Sequence, residues 1–269
     1  MQVYALASGS SGNAMVVQGT QGCILIDAGI PQRTLLHQLA QVGITPDMLC
    51  GIVVTHEHGD HTTSVLPLAK KYHLPLLGSA GTLAALNVPT TIATVVIAQH
   101  QTYAVAGLQI SAVSVKHDAA EPIAVNVRHA DVAITVATDL GSWDDSLVAA
   151  CAHSQLVVIE ANHERERLSA SRYDQALKLR IASPIGHLDN IQAGEFLAYV
   201  LRDRAPRDIW LAHLSHEANT PQLAMRSVQT VLHMHRCSDA VRSLTALPRN
   251  GTVAWGPPQR SQQQTLWDE

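Results

Sequence analysis

Aromatic side chains are scarce in this chain of 269 residues: they make up 4% of it, with a single Phe. Its core therefore cannot rest on clustered rings. The 46% of hydrophobic residues must pack mainly as Leu, Ile, Val and Ala, which suits many short buried strands flanked by helices. Cysteine is scarce too. Cys23, Cys50, Cys151 and Cys237 form no CxxC pair and three of them adjoin apolar runs, so buried thiols are expected and neither disulfides nor a zinc knuckle. No Pro/Gly/Ser-rich linker or block of like charge divides the chain. One α/β domain over residues 1–255 is expected, with a polar tail over 256–269 whose Leu266 and Trp267 can dock on the body or on another chain. Met1 to Ala7 lack a basic leader and run into polar Ser8-Gly9-Ser10-Ser11, so neither a signal peptide nor a membrane span is expected. The expectation is a cytoplasmic protein with no membrane partner and no obligate protein partner. A net charge of −4 argues against broad coating of nucleic acid, although a local cluster drawn from Arg165, Arg167, Arg172, Lys178 and Arg180 would suffice for an enzyme acting on it.

What the chain does have is His56-Glu57-His58-Gly59-Asp60-His61, placed directly after the apolar run Ile52-Val53-Val54-Thr55. Three imidazoles and a carboxylate in one strand-to-loop turn point to a metal site, because neutral imidazole binds zinc and its neighbours and carboxylate admits harder ions such as manganese. Alternate residues of an extended segment face the same way. His56 and His58 can thus face one metal while Asp60 and His61, after the chain bends, face a second.

The remaining pattern is strands followed by helices, twice. Apolar runs near 3–7, 14–17 and 23–26 precede a helical pattern at Leu35, Leu36, Leu39 and Val42, with Pro31 in its first turn. Residues 64–72 read as helix and Leu74 to Leu77 as a short strand. Residues 91–97, 102–115 and 122–138 read as strands with hairpins around Gly107. In the second half Ser142 can cap a helix carrying Leu147 and Val148, and Leu156 to Ile159 form a buried strand. Residues 191–202 read as an amphipathic helix, and Thr220-Pro221 starts a last helix reaching about His235.

The hexad resembles the HxHxDH signature of the metallo-β-lactamase superfamily. That resemblance implies a four-layer αββα sandwich and a set of ligands scattered after other strands. Asp27, closing Cys23 to Ile26, resembles the carboxylate that orients the site. His117, Asp139 and His213 each follow a candidate strand. The resemblance implies that His56, His58 and His117 hold a first metal and Asp60, His61 and His213 a second, with Asp139 bridging two Zn2+ or Mn2+ ions. Ala7 to Asn13, His117 to Pro122, Glu160-Ala161-Asn162-His163, Gly186 to Asn190 and His213-Leu214-Ser215 are similar to the YycJ/WalJ-like branch. Two positions depart from it: Gly59 and Asp189 stand where the branch commonly has Ser. The branch implies a dinuclear metal-dependent phosphodiesterase, a 5′-to-3′ exonuclease on duplex DNA, with a metal-bound hydroxide as nucleophile. His187 is the candidate general acid or phosphate contact, and His163 a candidate substrate contact or orienter of the site. Ser10 and Asn13 lie in a loop that can either touch phosphate or form a tight turn under Asp27. The competing readings are a hydrolase of a small phosphodiester, lactone or thioester and, behind it, a noncatalytic metal-stabilised binding protein.

Overall fold

The computed structural model describes residues 1–256; the tail expected beyond them, with Leu266 and Trp267, lies outside the described residues. Strands β1 (Gln2–Ala7), β2 (Ala14–Gln18), β3 (Cys23–Ile26), β4 (Leu49–Val53), β5 (Leu76–Gly78) and β6 (Thr94–Val96) cross one sheet in chain order. A second sheet is built in chain order from β7 (Thr102–Val105), β8 (Leu108–Ser114), β9 (Ile123–His129), β10 (Val132–Ala137), β11 (Leu156–Glu160), β12 (Arg207–Ala212) and β13 (Val241–Ala246). The last strand among the described residues, β14 (Asn250–Trp255), returns to the first sheet and pairs antiparallel with β1.

Each sheet changes character halfway. The first is antiparallel from β14 through β3 and parallel from β3 to β6. The second is antiparallel from β7 to β10 and parallel from β10 to β13. A parallel neighbour needs a crossover, and helices make it. In the first half these are α1 (Gln32–Gln41), α2 (Gly59–Thr62), α3 (Val65–Tyr72) and α4 (Ala80–Ala85). In the second they are α5 (Asp145–Cys151), α6 (Arg165–Ala170), α7 (Gln175–Ile181), α8 (Asn190–Val200) and α9 (Pro221–Met234).

Three apolar layers separate four structural ones. Ile24, Ile26, Val53, Val125, Ile134, Val158 and Trp210 pack between the sheets. Leu25, Ile52, Leu35, Leu39 and Leu68 join the first sheet to α1 and α3, while Val157, Ile159, Phe196, Leu197 and Val228 join the second to α8 and α9. The αββα sandwich is thus the observed fold. It explains why β3, β4 and β11 read as continuous apolar runs: strands covered on both faces have no solvent side to mark with polar residues.

Two local expectations change. The cap of α5 is Asp144, whose Oδ1 accepts the Ser146 and Leu147 amides at 3.0 and 3.3 Å, whereas the Ser142 hydroxyl donates to the Pro184 carbonyl. Helix α8 is not amphipathic, because Ala193, Phe196, Leu197, Ala198 and Val200 are buried around much of its girth. The bend expected within the hexad is there, as a single helical turn over residues 59–62.

Candidate metal centre

Asp27 follows β3, His56 lies just beyond β4, Asp139 just beyond β10, Glu160 ends β11 and His213 follows β12. All five lie at the carboxyl ends of parallel strands, where an open α/β sheet leaves a crevice for ligands. The turn out of the strand is sharp. Asp27, Asp139 and His213 have φ of 58°, 59° and 55°, a left-handed conformation uncommon outside glycine and best tolerated by Asn, Asp and His. The loop of Ser8 to Asn13 braces the centre from beneath. Asn13 N–H donates to the Asp60 carbonyl at 2.8 Å, and the His213 N–H to Ser8 Oγ at 2.8 Å. Gly29 sits so close to the hexad that a Cβ there would fall 1.6 Å from the Asp60 carbonyl oxygen. A Cβ on Gly59, by contrast, meets nothing within 4 Å.

The seven residues expected as ligands come together in two groups, His56 with His58 and His117, and Asp60 with His61, Asp139 and His213. Within each group the potential ligand atoms all lie within 4.8 Å of one another. Asp139 faces both groups, with Oδ2 3.0 Å from His61 Nε2 and Oδ1 3.9 Å from His117 Nε2. A third group of the same tightness joins Asp139 and His213 to Glu160 and His187.

Four imidazoles have Nδ1 engaged by a carboxylate, carbonyl or hydroxyl. His61 Nδ1 lies 2.7 Å from Asp27 Oδ2, His213 Nδ1 2.7 Å from Glu160 Oε1 and His117 Nδ1 3.0 Å from the Gly186 carbonyl. His56 Nδ1 lies 3.1 Å from Thr55 Oγ1, a hydroxyl that itself donates to Asp27. Each partner holds a proton on Nδ1 and leaves Nε2 as a lone pair facing inward, the tautomer a metal requires. Buried His56 Nε2 has no hydrogen-bond partner, and Asp139 Oδ2 faces the inward Nε2 lone pair of His61 at 3.0 Å with no donor between them. Such orphaned acceptors are rare in a folded interior. The charge balance agrees: burial works against a proton on His213, but Asp139 and the bonds to Asp60 and Glu160 carry its pKa up to about 10. His61 is likewise held well above the ordinary range by Asp139 and Asp27 despite complete burial. The carboxylates thus call for positive charge, and the donor set of imidazole and carboxylate fits zinc or manganese.

Glu160 is the residue whose role the sequence did not disclose. It is fully buried, its Oε1 accepts from His213 and from His187 Nδ1 at 2.8 Å, and its Oε2 accepts the Leu140 and Leu188 amides at 3.1 and 3.2 Å. A carboxylate closing the otherwise apolar Leu156-Val157-Val158-Ile159 was the available signal, since a buried charge needs partners. His187 is partly exposed and opens onto a cleft of about 180 Å³ lined by Ser10, Tyr173, Leu177, Arg180 and Ser215. Arg249, between β13 and β14, donates to the Leu214 carbonyl at 3.2 Å. Neither Tyr173 nor Arg249 stood out in the sequence.

The other predicted positions fall elsewhere. Asn13 is buried, and its side chain bonds Gly9 and lies 3.0 Å from His61 Nε2, which places it in the bracing turn. His163 belongs to none of the three groups and lines a separate cavity with Arg165 and Lys178. Asp189 is turned from the metal groups, pairing with Arg165 and capping α8. Arg180 pairs with Asp118 at the cleft, while the Arg167 guanidinium reaches the Glu217 carbonyl.

Residues 23–214 match the family described as the beta-lactamase superfamily domain. The exodeoxyribonuclease YycJ of Bacillus anthracis is 33% identical over 233 residues, 84% of this chain and 87% of that protein. The exodeoxyribonuclease WalJ of Streptococcus pneumoniae is 33% identical over 225 residues, 81% of this chain and 83% of that one. Among solved structures, the metallo-beta-lactamase fold protein YhfI of Bacillus subtilis superposes with a TM-score of 0.71, covering 94% of this chain and 99% of its own, at 17% identity. That last likeness speaks for the fold alone.

Proposed function

The chain belongs to the metallo-β-lactamase superfamily, in the branch of the YycJ and WalJ exodeoxyribonucleases, and from that premise we propose that it is a metal-dependent phosphodiesterase that shortens duplex DNA from its 5′ ends. The observation that carries the chemistry is the pair of ligand groups with Asp139 facing both. His56, His58 and His117 would hold one divalent ion, Asp60, His61 and His213 the other, and Asp139 would touch both. When bound, the ions supply Lewis-acid polarisation of a phosphoryl oxygen and a water of lowered pKa.

The protein's own groups do the rest. Asp27 and Glu160 orient His61 and His213. His187 stands at the mouth, its Nδ1 bonded to Glu160 and its ring 5.2 Å from that of His213. Glu160 and its neighbours hold the His187 pKa above its ordinary value against the effect of burial, so the ring can keep a proton on Nε2 and give it to the leaving oxygen. Ser10 and Arg180 offer donors to phosphate along the cleft, and Tyr173 a face on which a base can stack.

The deciding experiment supplies zinc or manganese and offers 5′- and 3′-labelled duplex DNA, single strands, RNA and small phosphodiesters. Shortening from 5′ ends is the expected product pattern. The modest cleft volume favours a second reading, a hydrolase of a small phosphodiester, lactone or thioester. Turnover of those compounds with intact DNA under both metals would establish it in place of the first.

A further inference from the structure

Helix α7 has two working faces. Leu177, Arg180 and Ile181 border the cleft beside His187, whereas Gln175, Lys178, Leu179 and Ala182, spaced i, i+3, i+4, i+7, border a different cavity of about 370 Å³ closed by α6 and the start of α8. This volume lies at the lower end of the range for small-molecule sites. At the cavity stands His163, with 3% of its surface exposed and its Nδ1 lacking any hydrogen-bond partner. A buried acceptor or donor left in this way is expensive unless a ligand completes it.

The lining decides what kind of ligand that is. An anion would look for free cations or a helix end, and here each already has a protein partner. Arg165 is paired with the Asp189 carboxylate, and Lys178 Nζ donates to the Ser169 carbonyl at 2.7 Å. The α8 N-terminus is closed by Asp189 Oδ1, which accepts the Gln192 N–H at 2.8 Å. Uncharged features remain. Leu168 is buried at the cavity and Leu179, 63% exposed, flanks it, a combination that offers apolar surface to a flat ring. Gln192 Oε1 accepts from the Asp189 N–H, which leaves its amide NH2 free to donate. Gln175 adds both a donor and an acceptor.

We infer that this cavity is a nucleobase pocket, in which Leu168 and Leu179 cover the faces of an uncharged heterocycle and His163, Gln175 and Gln192 meet its polar edge. That the base comes from a DNA strand held at the metal centre rests on the nuclease reading; the chemistry of the pocket does not. One helix would then separate a base from the phosphate being cut, and the pocket would set sequence or end preference.

The test titrates the full-length, metal-loaded protein with adenosine, guanosine, cytidine and thymidine, and in parallel with ribose and inorganic phosphate, by calorimetry or saturation-transfer NMR. At least one nucleoside is expected to bind, ribose is not, and Leu179→Glu and Gln175→Ala are each expected to weaken that binding by about tenfold or more, equivalent to about 1.4 kcal/mol. Leu179 is mostly exposed, so its substitution leaves the fold in place. Three results overturn the inference: no nucleoside binding, binding that Tyr173→Ala abolishes while the pocket variants keep it, or phosphate binding that the pocket variants weaken. A nucleoside contains no phosphodiester, so the titration reads the pocket independently of catalysis. Nucleoside binding with intact DNA would defeat the nuclease reading alone, and DNA shortening without nucleoside binding would defeat the pocket alone.

Discussion

Asp27 and Glu160 hold opposite sides of the centre by the same device, a buried carboxylate fixing the Nδ1 proton of a histidine whose Nε2 looks inward. Partners of this kind are typically worth 10- to 100-fold in metal affinity or activity, so Asp27→Asn is expected to lower affinity for zinc or manganese by about that factor. Metal titration followed by elemental analysis checks it, with circular dichroism confirming the fold. Asp60→Ala and His61→Ala are expected to abolish hydrolysis. His187→Ala is expected to slow turnover by about 10²-fold or more while both metals stay bound, because it removes a proton donor and no ligand of the two principal groups. Loss of metal from His187→Ala in step with activity would instead make it a ligand of the third group. The thiols give a separate check on the structure. Burial pushes Cys151 up to about 12 and Cys23, with Cys50 adding to the effect, up to about 11, and Cys237 is buried as well. Since thiolate is the reactive form, Cys50, half-exposed on β4, is expected to be the one cysteine alkylated quickly in the native protein. Mass spectrometry after a short iodoacetamide pulse reads this directly.

Among the elements, the strands were the most legible. Cys23 to Ile26, Ile52 to Val54 and Leu156 to Ile159 are apolar throughout because both their faces are covered, and Asp27, Thr55-His56 and Glu160 follow them directly. The short helices were harder. Helix α4 has only six residues, Ala-Gly-Thr-Leu-Ala-Ala, and too little length for a period to declare itself. The α6–α7 pair carries the cleft and the second cavity, yet its basic residues read only as a candidate cluster for nucleic acid until the fold sets them beside Asp118, Asp189 and the carbonyls they bind. Glu160 could be seen but its two histidine partners, distant in sequence, could not. A further element-scale prediction concerns the entry to β12, where Asp203 accepts from the buried Arg207 guanidinium and its carboxyl is held at about 2 by that bond. A carboxyl depressed on folding contributes stability that is present above its unfolded value of about 4 and is lost as pH falls through about 2. The stability gap between the protein and its Asp203→Asn variant is therefore expected to be constant near neutrality and to close between about pH 4 and pH 2, as urea unfolding across that range would show. Asp203 is half-exposed, so the gap is expected to be small, about 1 kcal/mol or less after screening by solvent.

At the scale of the whole molecule, the three apolar layers are expected to hold the sandwich without help from the metals. Chelation is thus expected to abolish hydrolysis and to lower the melting temperature by mass action, while unfolding stays cooperative and activity returns on adding zinc or manganese. Calorimetry with and without chelator checks it, and noncooperative melting of the stripped protein would mean that the metals organise the core. The net charge of −4 leaves little long-range attraction for DNA, so binding is expected to rest on a few local phosphate contacts and to weaken with a shallow slope as salt rises. The pairing of β14 with β1 also orders events in time. Val3 faces Trp255 across that ladder, and the Trp255 indole reaches over to Asp208 at the start of β12. During synthesis, then, one edge of β1 stays open until nearly all of the described chain has left the ribosome, an unpaired strand of the kind that invites contact with other nascent chains. The last described strand to emerge closes the first.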